Sequence, residues 1–153
     1  LLKRHISWFE GVLVAFLFYM LFFLYGMMAA KHSEPIGSIE IFGAFLFLIG
    51  SWINTQSDYQ RYNWKKDPEN EGRLFTGGLF KYSMHINYFG DSLSYLGLAM
   101  ITREAVCYYA VLGIVVNFVA LQIPQLDKHL RNKYKDEFTD YAQSTKKFIP
   151  LVY

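Results

Sequence analysis

The sequence predicts an all-α integral membrane protein, a bundle of about four transmembrane helices followed by a C-terminal amphipathic helix at the interface. Three observations carry this expectation. Residues 11–30, 41–57 and 105–126 are uncharged runs of twenty, seventeen and twenty-two residues. At about 1.5 Å of rise per residue, each crosses most or all of a hydrocarbon core about 30 Å thick. Of the 153 residues, 53% are hydrophobic and 18% charged, an apolar share above and a charged share below those of a soluble domain. Finally, the cations segregate by loop, as they do in chains that cross a bilayer.

The first span is expected over residues 9–29 and the second over 37–55. Between them Lys31-His32-Ser33-Glu34-Pro35 ends one helix and lets the next begin. The third span, 86–102, is interrupted near its start by Asp91, and the fourth covers 105–123, with only Arg103-Glu104 between the two. Such a short link makes a tight helical hairpin. After Pro124, Leu126, Leu130, Tyr134, Phe138 and Tyr141 recur every three or four residues, the stripe of an amphipathic helix that lies on the interface or caps the bundle.

Four spans put three basic segments on one side. Lys3 and Arg4, then Arg61, Lys65, Lys66, Arg73 and Lys81, then Lys128, Arg131, Lys133, Lys135, Lys146 and Lys147 make 13 cations there, against Lys31 and Arg103 opposite. Cations are retained on the cytoplasmic side, so function is expected on that face, where a soluble ligand arrives. A net charge of +2 is too small for a protein whose partner is nucleic acid. The pattern fits an endoplasmic-reticulum, mitochondrial inner or bacterial inner membrane equally. The single cysteine, Cys107, cannot form an intrachain disulfide and indicates no compartment. The chain begins at Leu1, and residues upstream of it are expected.

Polar residues recur at helical spacing where the second and third spans meet the basic side. Asn54, Asp58, Arg61 and Lys65 share one face of a helix that should continue to Asp67-Pro68. Ser83, Asn87, Asp91 and Ser94 or Tyr95 repeat the pattern in the third helix. A carboxylate at bilayer depth is costly and normally faces a partner or a cavity, which makes Asp91 a functional candidate; a carboxylate at a helix start, stabilised by the helix dipole, is the plainer alternative. Likewise, the first stripe also reads as a solvated helix end with an Asp58–Arg61 pair. Gly77-Gly78 lets backbone amides approach a ligand and Lys65, Lys66 and Arg73 supply cations, but paired glycines more often just make a turn. Residues 69–72 read as a flexible loop. No His or Cys spacing resembles a metal site, and no nucleophile with an adjacent base is recognisable.

Asn54-Thr55-Gln56-Ser57-Asp58-Tyr59, Gly72-Arg73-Leu74-Phe75-Thr76-Gly77-Gly78-Leu79-Phe80-Lys81-Tyr82, Asn87-Tyr88-Phe89-Gly90-Asp91 and Phe148-Ile149-Pro150 together resemble the carboxy-terminal half of the steroid 5α-reductase family. They are similar also to its relatives among sterol reductases. The resemblance treats residues 1–153 as one membrane domain and is strongest over 53–153. It implies an NADPH-dependent membrane reductase that saturates a conjugated carbon–carbon double bond in a lipophilic, sterol-like or fatty enone substrate entering from membrane lipid. On that resemblance, Asn54 and Asp58 line the nucleotide site, Lys65 and Arg73 meet phosphates, Tyr82, Asn87 and Asp91 surround the nicotinamide end, and His129 and Tyr134 close the site.

The sequence departs from the family at several points. Asp91 stands where the family usually has the longer Glu, Ile123-Pro124-Gln125-Leu126 lacks an arginine often found there, and His85 precedes Ile86 rather than proline. The proton-donating Tyr and Glu of the family lie on earlier helices with no counterpart here, and nothing identifies Glu10 as that acid. Two other functions stay open: an accessory subunit of a larger membrane assembly that keeps the fold without turnover, and a membrane methyltransferase of the isoprenylcysteine type. The reductase blocks fit better than the last.

Overall fold

Uncharged helices of this length can satisfy their backbone only internally in lipid, and the architecture follows from that. The structure is a computed structural model and describes residues 7–31, 33 and 35–153, without the side chains of Glu10 and Val14. Lys3 and Arg4 of the basic face, His32 and Glu34 of the first turn, and the Glu10 carboxylate lie outside the described residues.

Helix α1 is Trp8–Ala29, α2 Ser38–Trp64, α3 Ile86–Thr102, α4 Ala105–Asn117, α5 Ile123–Tyr134 and α6 Asp136–Ser144. There is no strand among the described residues. Among the described residues, three helical stretches are long and apolar enough to cross a membrane: Gly11–Ala29, Ser38–Trp64 and Ala105–Tyr134. The 17 residues of α3 rise about 25 Å, and the helix packs antiparallel along α2. This is an all-α membrane bundle.

The α2–α3 contact is set by small residues. A Cβ on Gly43 would lie 2.7 Å from the Gly97 carbonyl oxygen, and one on Gly50 would lie 2.5 Å from that of Gly90. Backbones this close need glycine at the crossing, the usual device where no hydrophobic effect drives helices together. Between the glycines, Ser51 Oγ meets Ser94 Oγ at 3.2 Å. By contrast α1 is apolar all round and outward-facing, with Trp8 92% exposed. Lipid is the natural cover for such a helix. Its inner face reaches Tyr25, whose hydroxyl donates to the Cys107 carbonyl at 3.3 Å, in a core with Tyr95, Ala99 and Val111. At the end away from the basic segments, Arg103 pairs with Glu40, and the Glu40 carboxylate also accepts from the Gly37 N–H at 2.7 Å.

Four expectations are corrected in detail. First, α2 stops at Trp64, three residues before Asp67, because the Asn70 side chain donates to the Trp64 carbonyl at 2.9 Å. Residues 69–72 are not a loose loop, for Pro68–Asn70 form a 3₁₀ turn capped by Asp67. The fourth span does not end before Pro124. It runs on through a π-helical turn, Phe118–Gln122, into α5, and a wide turn of this kind accommodates the missing proline N–H without breaking the helix.

Nor is the tail one amphipathic helix, since Lys135 takes a positive φ of 46° and separates α5 from α6. That break turns Tyr134, Phe138 and Tyr141 into a core with Phe80, Met84 and Ile86. Tyr141 donates to the Phe80 carbonyl at 2.6 Å, and burial raises its phenol well above the ordinary range. The chain end returns to the start of α3: Met84 N–H donates to Lys146 O at 2.8 Å, His85 N–H to Lys147 O at 3.1 Å, and Ser83 Oγ to Phe148 O at 2.8 Å.

Candidate functional site

Two helical stretches extend about 10 Å or more beyond the hydrocarbon core of a bilayer. The 27 residues of α2 and the 30 of Ala105–Tyr134 rise about 40 and 45 Å against a core of about 30 Å. Their polar ends emerge on the same side, flanking the start of α3. A cavity of about 470 Å³ lies between them, lined by Asp58, Arg61, Tyr62 and Lys65 from the end of α2, by Asn87 and Tyr88 from α3, and by Leu126, His129, Leu130, Lys133 and Tyr134 from α5.

Five of the nine residues singled out from the sequence therefore meet in one wall: Asp58, Lys65, Asn87, His129 and Tyr134. Asp58 accepts from Arg61 at 2.7 Å, while the Arg61 guanidinium lies 5.3 Å from the centre of the Phe80 ring. A guanidinium held by a carboxylate and a ring face keeps its charge in a fixed place. Lys66 is turned onto the Tyr62 ring at 4.3 Å.

Asn54 and Asp91 are bonded to each other, Asn54 Nδ2 donating to Asp91 Oδ1 at 2.7 Å and to the Asn87 carbonyl at 3.3 Å. They line a different, smaller hollow of about 220 Å³, with Ser51, Ser94 and Tyr95 among apolar Phe22, Phe47 and Leu98. Asn54, Asn87 and Asp91 are thus bonded together, Asp58 shares the larger cavity with Asn87 without a bond to any of the three, and the four open onto two hollows rather than one. Arg73 and Tyr82 are exposed and line neither. The double glycine makes a turn: Gly78 has a φ of 56°, and the next amide, Leu79 N–H, donates to Gln60 Oε1 at 2.9 Å. Asp91 sits in the second turn of α3, and its partner is the Asn54 amide.

Arg61, Tyr62, Tyr88, Leu126, Leu130 and Lys133 complete the cavity and were not among the nine. Lys133 follows His129 by four residues, a spacing that shares a helix face, and Tyr88 adjoins Asn87; both signals were present in the chain. No group of three or more His, Cys, Asp or Glu arranged to hold a metal occurs among the described residues.

Comparison with known proteins assigns the chain. The model of a family described as "Protein of unknown function (DUF1295)" matches residues 2–145. The chain belongs to the DUF1295 family. This DUF1295 chain is also 32% identical over 112 residues to the 3-oxo-5-alpha-steroid 4-dehydrogenase 2 of Rattus norvegicus, covering 73% of the chain and 42% of that protein. It is 31% identical over 112 residues to the same-named protein of Homo sapiens, covering 72% and 42%. Against the steroid 5-alpha-reductase DET2 of Gossypium hirsutum it is 27% identical over 153 residues, covering 93% and 57%. The resemblance to steroid 5α-reductases is borne out, and the DUF1295 chain spans about half the length of the relatives it matches.

Proposed function

We propose that this DUF1295 protein is an NADPH-dependent membrane reductase that saturates a carbon–carbon double bond conjugated to a carbonyl in a lipophilic, sterol-like or fatty enone substrate. The observation that supports this most is the cavity on the basic face, where Arg61, Lys65 and Lys133 share a wall with Asn87, Tyr88, His129 and Tyr134. The residues fit the cofactor. Its phosphates call for cations, its ribose and carboxamide groups call for amides and hydroxyls, and about 470 Å³ lies within the about 300–1,000 Å³ usual for small-molecule sites. The names of the relatives, 3-oxo-5-alpha-steroid 4-dehydrogenases and a steroid 5-alpha-reductase, point to the same chemistry.

When bound, NADPH supplies a hydride to the β-carbon of an enone. In this reading Lys65, with Arg61 and Lys133 on the same wall, holds the phosphate end, whereas Arg73 and Tyr82 stand outside the cavity. Asp58 orients Arg61, Asn87 contacts the nicotinamide end, and His129 and Tyr134 close the cavity from α5. Asn54 and Asp91 form the boundary with the smaller hollow, whose walls of Phe22, Phe47 and Leu98 suit an apolar molecule arriving from membrane lipid.

Titration of the purified protein with NADPH and with S-adenosylmethionine, followed by nicotinamide fluorescence and thermal shift, tests the reading. Micromolar NADPH binding with no response to S-adenosylmethionine supports it. Binding of S-adenosylmethionine alone, or of neither while the protein co-purifies stoichiometrically with other membrane subunits, overturns it.

A further inference from the structure

The α3 wall of the cavity has a backing of its own. The Tyr88 ring stacks on Phe118 with centroids 4.7 Å apart at 9°, and on His85 at 5.8 Å and 8°. His85 is 1% exposed. Its Nε2 lies 2.8 Å from Asp127 Oδ1, and Asp127 Oδ2 lies 3.2 Å from Lys147 Nζ. The His85 N–H is held as well, by the Lys147 carbonyl at 3.1 Å. A buried polar ring like that of His85 is costly unless it is hydrogen-bonded, and here its bonds join the start of α3, α5 and the chain end behind a single aromatic ring. The Tyr88 hydroxyl has no hydrogen-bond partner among the described residues, although its side chain lines the cavity.

We infer that Tyr88 recognises the ligand, its hydroxyl bonding a neutral polar group such as a ribose hydroxyl or a carboxamide, and that Lys147, Asp127 and His85 are positioning residues acting through its ring. The inference rests on the cofactor reading above and extends it to the Tyr88 hydroxyl and to three residues outside the family blocks, His85, Asp127 and Lys147. The physical reason is division of labour along the wall. Arg61, Lys65 and Lys133 carry the charge for phosphates, whereas Tyr88, stacked and unable to turn freely, offers a directed neutral donor. A group held in place before the ligand arrives loses less rotamer freedom on binding.

A double-mutant cycle on the full chain tests this, with NADPH as the probe and its dissociation constant as the readout. Tyr88→Phe removes one oxygen that bonds no protein group and is expected to weaken binding about tenfold, the worth of one good hydrogen bond, with the thermal midpoint of the free protein unchanged. Asp127→Asn is expected to weaken binding about as much alone, to add nothing in the Tyr88→Phe background, and to be rescued by Asp127→Glu. If Asp127→Asn does not fold, Lys147→Gln releases only the more exposed end of the chain and should weaken binding about threefold, again without effect in Tyr88→Phe. Wild-type affinity in Tyr88→Phe, or additive losses in the double variant, overturns the inference while leaving the cofactor reading intact. Failure of the wild type to bind NADPH overturns both.

Discussion

The side-chain amide of Asn54 on α2 donates to the carboxylate of Asp91 on α3 across 2.7 Å. A carboxylate within an apolar helix costs several kcal/mol on most scales without a partner, so this bond explains how Asp91 is tolerated and which way it faces. It also ties α2 to α3 one helical turn from Asp58 and Asn87, where the larger cavity begins.

Asn54→Leu should therefore destabilise the protein by about 1 kcal/mol, the cost of leaving a half-buried acceptor unmatched, whereas Asp91→Asn keeps a polar partner for Asn54 and should cost less. Denaturation in detergent measures both. Equal stability of Asn54→Leu and wild type would mean that Asp91 is satisfied by other means.

The glycine contacts make a contrasting pair. Gly50→Ala places a methyl 2.5 Å from the Gly90 carbonyl oxygen and should cost about 1–3 kcal/mol as the helices separate. Gly113→Ala meets nothing within 4 Å and should stabilise α4 by about 0.5–1 kcal/mol, because alanine is the better helix former. Thermal midpoints moving in opposite directions confirm the α2–α3 crossing.

Tyr141→Phe removes the donor to the buried Phe80 carbonyl and should cost about 1–2 kcal/mol. Its pH dependence has a definite sign. The phenol is raised in the folded state, so the stability it contributes is fully present below the ordinary phenol value of about 10 and is lost as pH rises further. Wild type should thus approach Tyr141→Phe in stability at strongly alkaline pH, and a constant gap across that range would contradict the assignment.

Much of the bundle was legible from the sequence pattern, since residues 9–29, an apolar stretch ending just before Lys31, and 86–102, flanked by His85 and Arg103, coincide closely with α1 and α3. The continuation of α4 through a π turn was not, because Pro124 normally signals a stop and only the wide turn before it removes that consequence. The break at Lys135 depends on a positive φ that a non-glycine residue adopts when the core claims Phe138 and Tyr141. At the site, helical spacing found Asp58, Lys65, Asn87 and Asp91, but it could not divide them between two hollows. His85 and Asp127 are 42 residues apart, and no local pattern announces a bond between them.

The most direct measurement is NADPH affinity after charge reversal on the two sides of α5. Lys133 lines the cavity, and Lys128, exposed on the same helix, does not. Lys133→Glu should weaken binding about tenfold or more, since it exchanges attraction for repulsion at close range, while Lys128→Glu should change it less than about twofold at physiological salt. Equal losses in the two variants, or none in Lys133→Glu, would contradict a phosphate-bearing ligand in this cavity.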